Sequence, residues 1–251
     1  MRHHRAGASE ADLIAQPRHA PVFALLAAAF IHVSCGSTPP APLPGAPSIV
    51  GTSDPKDLAE ALLLGSGALS DSANRGCAPL GVVVGWPSGS LITVRVSSQL
   101  PQSARTQIQQ VVGRVAEATL DNVTATIQLT DQAGPRPNAG EVTVSGTNNP
   151  AMAGCSGAAV LCTMFAGFSV PFLHSVRIVG VPDGNFAHEL GHGVFGFCHT
   201  KNPNVFDKET IMAGAWALTD RDVGIVQSVY RAGLGPGATR SELVQAGIVN
   251  P

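Results

Sequence analysis

The chain has 251 residues, enough for one domain of ordinary size with extensions. Charged residues make up 13% and hydrophobic residues 44%, and the formal net charge is -2 with no basic run, a balance that excludes a nucleic-acid-binding surface of the usual electrostatic kind. The 28 glycines and 19 prolines fall short of the share that marks a low-complexity, disordered chain.

Arg2, His3, His4, Arg5 and Arg18 precede an apolar run from Pro21 to Val33. This run is too short to span a bilayer as a stable helix and is expected to be a targeting signal. It ends in Val33-Ser34-Cys35-Gly36, which resembles a bacterial lipobox with Cys35 as the lipidated residue. The small Ser34 fits that pattern, whereas His32 stands where a Leu-like residue is usual. The resemblance implies an extracytoplasmic lipoprotein that meets the membrane only through its anchor, with ordinary secretion as the alternative. Residues 1–35 are therefore set off as the signal, and residues 36–51, rich in proline, as an extended hydrated tether.

Residues 52–90 read as an amino-terminal extension or covering segment. A short helix is predicted from Asp54-Pro55 through Leu58, Leu62 and Leu63, with proline in the first turn and Gly65-Ser66-Gly67 as its stop. The domain proper, residues 91–251, opens with alternating Ile92, Val94 and Val96, a half-buried strand. Ala104, Ile108, Val111, Val112 and Val115 then repeat at helical spacing. Strand signals return at Ala125, Ile127 and Leu129, at Val142 and Val144, and at Val176 and Ile178. A strand-helix-strand start implies a right-handed crossover and a mainly parallel, twisted sheet, so the fold class is α+β with an α/β-like opening. Near the end, Thr239-Arg240-Ser241-Glu242 fits a capping box for a short last helix through Leu243 and Val244.

The segment with the most chemistry is HELGHGVFGFCH, residues 188–199. On a helix, His188 and His192 lie one above the other and can present two imidazoles to one ion. Glu189, next to the first of them, can take a proton from a metal-activated water. Two glycines, Gly191 and Gly193, each cost a helix interior about 1 kcal/mol relative to alanine, so close approach of the sheet or of the site's floor is expected there.

The string resembles the zinc motif of the metzincin metallopeptidases, HExxHxxGxxH, with one departure. Gly196 and His199 each lie one residue later than the pattern places them, so the Gly-x-x-His unit is intact but displaced. Two registers follow: His188, His192 and His199 after a helix one residue longer, or His188, His192 and Cys198 in strict register. The first is favoured, because the glycine ends the helix in a left-handed conformation and the third ligand is placed relative to that turn. Ile211-Met212-Ala213-Gly214 looks like the metzincin Met-turn, and residues 218–230 look like the closing helix of matrixin-like members. The resemblance covers roughly residues 90–232. It implies a catalytic Zn2+ on His188, His192 and His199, Met212 beneath the site, and a metalloendopeptidase that hydrolyses peptide or protein substrates with Glu189 as general base. The alternative from another class is a zinc-stabilised surface or adhesion lipoprotein on the same fold without catalysis. Tyr230 and His174 are expected in core and surface or strand roles respectively.

With Cys35 committed to lipid, Cys77, Cys155, Cys162 and Cys198 form an even set suited to two disulfides in an oxidising compartment. The preferred pairing joins Cys155 to Cys162 across a short loop, leaving Cys77 with Cys198. A thiol at Cys77 blocking the zinc, as in some metzincin latency segments, lacks the flanking motif.

Overall fold

The computed structural model describes residues 54–71, 81–131, 136–155, 159–200 and 209–251, together with the backbone of residues 31–35. Its order is β1 (Ile31–Cys35), α1 (Pro55–Leu64), β2 (Ser90–Ser97), α2 (Gln102–Gly113), α3 (Val115–Thr119), β3 (Val123–Thr130), β4 (Glu141–Gly146), β5 (Leu161–Ser169), β6 (Phe172–Gly180), α4 (Phe186–Phe195), α5 (Asp220–Arg231) and α6 (Arg240–Gln245). Two single 3-10 turns, Pro150–Ala153 and Ile211–Ala213, interrupt the connections.

All strands join one sheet in the order β1-β5-β6-β4-β2-β3. The pairs β2–β3, β2–β4 and β4–β6 are parallel, while β5 runs antiparallel to β6. The core is thus a mixed α/β unit around five mostly parallel strands, β2 to β6. The sixth, β1, pairs antiparallel with β5 from Ile31 opposite Phe165 to Cys35 opposite Leu161. It coincides with the end of the apolar run and the Cys35 position, while residues 1–30 and the 36–51 stretch lie outside the described residues.

The alternating residues Ile92, Val94 and Val96 all point into the core, as a half-buried strand requires. Ala104, Ile108, Val111, Val112 and Val115 form the buried stripe of the α2–α3 segment beneath it. β5 was not signalled by alternation. Leu161, Cys162, Thr163 and Met164 are consecutive and all buried, and the strand changes register around Gly167, so no period of two shows in the sequence.

The stretch set off as a covering segment shares the main core. Asp54 caps α1, and Gly65 ends it at φ 62°. Leu58, Leu62, Leu63 and Leu64 are buried among the sheet and helix residues. Buried Glu60 receives two contacts from the Arg240 guanidinium on α6, which carries the capping box expected of Thr239 and Glu242. Val83 exchanges backbone hydrogen bonds with Gly237 and Ala238, and the Trp86 indole donates to the Gly193 carbonyl at 3.1 Å.

These contacts make a prediction about truncation. Four leucines at about 1.5–3 kcal/mol each equal most of the 5–15 kcal/mol that stabilises an ordinary domain. A chain beginning at residue 53 is expected to melt cooperatively by circular dichroism. One beginning at residue 66 is expected to have lost that transition; a cooperative melt would mean that α1 is dispensable.

Candidate metal centre

α4 begins at Asn185, whose side chain accepts the His188 N–H, and ends at Gly196 with φ 68°. The helix therefore runs through Phe195, the position at which the HExxHxxGxxH pattern has its glycine, and the left-handed turn follows one residue later. Glycine is required at 196 twice over, because a Cβ there would also lie 2.3 Å from the Val84 carbonyl oxygen.

The two interior glycines have separate causes. A Cβ on Gly193 would fall 2.9 Å from Val176 Cγ1 and 3.3 Å from Ile178 Cδ1, so this glycine faces the sheet. A Cβ on Gly191 would fall 2.6 Å from Met212 Sδ and 3.1 Å from Ile211 Cγ2, so that one faces the floor. Met212, 1% exposed, fills the space under the helix. The floor is tied to α5 through fully buried Asp222. Its Oδ2 accepts the Ile211 N–H at 2.9 Å, the Thr219 N–H at 2.9 Å and the Thr219 hydroxyl at 2.8 Å. Burial pushes this carboxyl up to about 6, with the backbone donors opposing.

His188, His192 and His199 converge. His199 Nε2 lies 2.8 Å from His192 Nε2 and 3.1 Å from His188 Nε2. Two nitrogens each about 2.0–2.1 Å from a tetrahedral ion stand roughly 3.3 Å apart, so the spacing is close to that of a shared metal. The second nitrogens are engaged elsewhere: His192 Nδ1 lies 2.6 Å from the Phe197 carbonyl, and the Ile211 carbonyl bonds the His188 ring. Donation to those carbonyls leaves Nε2 of both rings as acceptors. The three ring nitrogens meet at one place, and these three residues could hold a metal ion.

Burial is the first cause that lowers each ring's pKa. His188 is brought down to about 3, with His199 adding to the effect and the Ile211 carbonyl opposing; His199 is brought to about 4, and His192 lies well below its ordinary value. At neutral pH all three are therefore imidazoles, the form that ligates.

Glu189 is buried beside this cluster on α4, and its Oε2 accepts the Thr163 hydroxyl at 2.7 Å. The strict-register residue, Cys198, is held in a disulfide and is not one of the converging groups. Cys77, its expected partner, lies outside the described residues. The Cys155–Cys162 bond is present, with a Cα–Cα distance of 5.7 Å. Tyr230 is partly buried against the core on α5, and His174 meets Ser169 at the β5–β6 turn. Both take the bland roles the sequence suggests.

Thr163, Trp86 and Asp222 were not singled out from sequence. For Asp222 a signal existed, since Thr219-x-x-Asp222 is a capping box. Thr163 and Trp86 reach the site through tertiary packing, for which a single sequence has no local mark. No family model, curated protein or solved structure matches the chain.

The geometry separates the two ligand registers experimentally. His199→Ala is expected to remove most bound metal, because one of three protein ligands is lost. Cys198→Ser is expected to keep the metal and to lower stability by about 2–4 kcal/mol, the usual worth of a disulfide. Metal content by elemental analysis and thermal melts check both, and metal loss in the serine variant would reverse the assignment.

Proposed function

We propose that the protein is a zinc-dependent endopeptidase with His188, His192 and His199 as metal ligands and Glu189 as general base. The observation that carries this reading is the convergence of His188 and His192 on α4 with His199 beyond its end, on a helix that also bears a buried carboxylate. A purely structural metal site needs ligands and has no use for such a carboxylate. Three protein ligands leave one tetrahedral position for water or substrate, the arrangement of catalytic rather than structural zinc. The resemblance of residues 188–199 to the metzincin zinc motif, with Met212 packed under the helix, supports the same class.

Zinc bound at this site would lower the pKa of a water toward neutrality and polarise a carbonyl. Glu189 takes the proton from the attacking water as its oxygen bonds to the scissile carbonyl carbon. The same carboxyl then returns the proton to the amide nitrogen, and the C–N bond breaks to release an amine and a carboxylate. The His192 ring is kept in its ligating tautomer by the Phe197 carbonyl, and the His188 ring by that of Ile211.

Glu189→Gln is expected to lower the rate of peptide hydrolysis by about 10²–10⁴-fold, the range for loss of a general base, with metal content near one per chain. Loss of metal together with activity would make the carboxylate a ligand and overturn its role.

The location belongs to the same proposal: a lipid on Cys35, with the proline-rich stretch after it as spacer, holds the domain outside the cytoplasm. No helix among the described residues is long and apolar enough to cross a membrane. Cys35→Ala is expected to move the protein from the detergent phase to the aqueous phase on Triton X-114 partitioning. An unchanged distribution would refute the anchor.

A further inference from the structure

Thr163 is the third residue of β5 and is fully buried under α4. Its hydroxyl is 2.7 Å from Glu189 Oε2 and 3.0 Å from the Glu189 main-chain carbonyl. Core packing explains the second contact, since a buried hydroxyl requires an acceptor and a helix carbonyl supplies one. It does not explain the first. Valine has nearly the same shape and would fill this place in the sheet with no polar atom to satisfy.

A hydroxyl has one proton to donate, and here two acceptors compete for it. The contact to Oε2 is the shorter of the two, so the proton is assigned to it. The approach that allows this bond depends on Gly193, one helical turn beyond Glu189 on the same face. A Cβ there would meet Val176 at 2.9 Å and Thr163 Cγ2 at 3.7 Å, and would push the helix away from β5. On the strand side, Thr163 is held in register opposite Ile178, and its neighbour Cys162 is fixed by the disulfide to Cys155.

We propose that Thr163 is a positioning residue for Glu189: it binds Oε2 and restrains the carboxylate rotamer. This rests on the reading of Glu189 as general base. A glutamate has three rotatable bonds, so an unrestrained carboxylate would present either oxygen and several orientations to the water. The hydroxyl narrows that freedom before substrate arrives.

The test uses the full chain loaded with zinc, comparing Thr163→Val and Thr163→Ser with the native protein on a fluorogenic peptide. Thr163→Val is expected to lower kcat about 10- to 100-fold, in line with one hydrogen bond to a charged group. KM, metal content and melting temperature should stay near native values. Thr163→Ser, which keeps the hydroxyl, should return kcat to near the native value. An unchanged kcat in the valine variant, or an equal loss in both, overturns the proposal. Crystal structures of the zinc-loaded native and valine proteins give a readout that does not need activity. Oε2 should sit at hydrogen-bond distance from Thr163 in the first, and the carboxylate should be displaced or disordered in the second. A native protein that binds zinc and cleaves nothing would sink the peptidase reading alone, and the crystal pair would still decide the role of Thr163; the same Glu189 rotamer in both would refute it.

Discussion

The steric fit of α4 is the constraint on which the site depends. The helix lies between the sheet and the Ile211–Ala213 turn, too close to both for any side chain at 191 or 193. Two glycines weaken the helix by about 2 kcal/mol in propensity, yet they permit what alanine would block. On one side, Glu189 comes within hydrogen-bond distance of Thr163; on the other, the Ile211 carbonyl reaches the His188 ring. Packing therefore decides what this site can do, because both the candidate base and a candidate ligand are oriented by groups that only close approach brings within reach. The Trp86 bond to the Gly193 carbonyl holds the helix at that depth from a third direction.

Burial has a second consequence at the same place. A cluster of three histidines in water would titrate near the ordinary histidine value and repel as it charged. Inside the protein the charged forms are disfavoured, and the rings remain neutral acceptors through the physiological range. The three imidazoles are thus assembled in the form that ligates, so a cation bound there would meet little opposition from ordering entropy.

What the sequence disclosed follows from how local each feature is. His188, His192 and the stop at Gly196 are set by helical geometry and a single left-handed residue, so spacing alone placed them. The α2 stripe, β2 and the Thr239 capping box were readable for the same reason. β5 was not, because four consecutive buried residues and a bulge near Gly167 erase the alternation that marks a strand. Thr163 is carried on that unread strand, so the partner of the candidate base was hidden with it. α1 was visible as a helix, but its place in the core was not, since burial of its leucines depends on contacts with residues far along the chain.

The place of His199 beyond the helix end raises a geometric question that the contacts resolve. One extra helical residue turns the end of α4 by about 100° and advances it about 1.5 Å, so the chain leaves the helix in a different direction. The glycine cap alone cannot restore the path to the cluster. The path is fixed instead by anchors beyond the cap. The Phe197 N–H bonds the Gly191 carbonyl, and the Phe197 carbonyl turns back onto His192 Nδ1. The Cys198 N–H is held by the Leu62 carbonyl at the end of α1, and the His199 carbonyl accepts the Asp71 N–H. Thr200 bridges to Ser70, and the Cys198 disulfide adds a covalent hold. Each anchor outside α4 comes from residues between β1 and β2 or from the disulfide. The segment that reads as an extension is thus part of the scaffold for His199, and a helix running to Phe195 is tolerated because that scaffold, rather than the helix end, sets the position of the third imidazole.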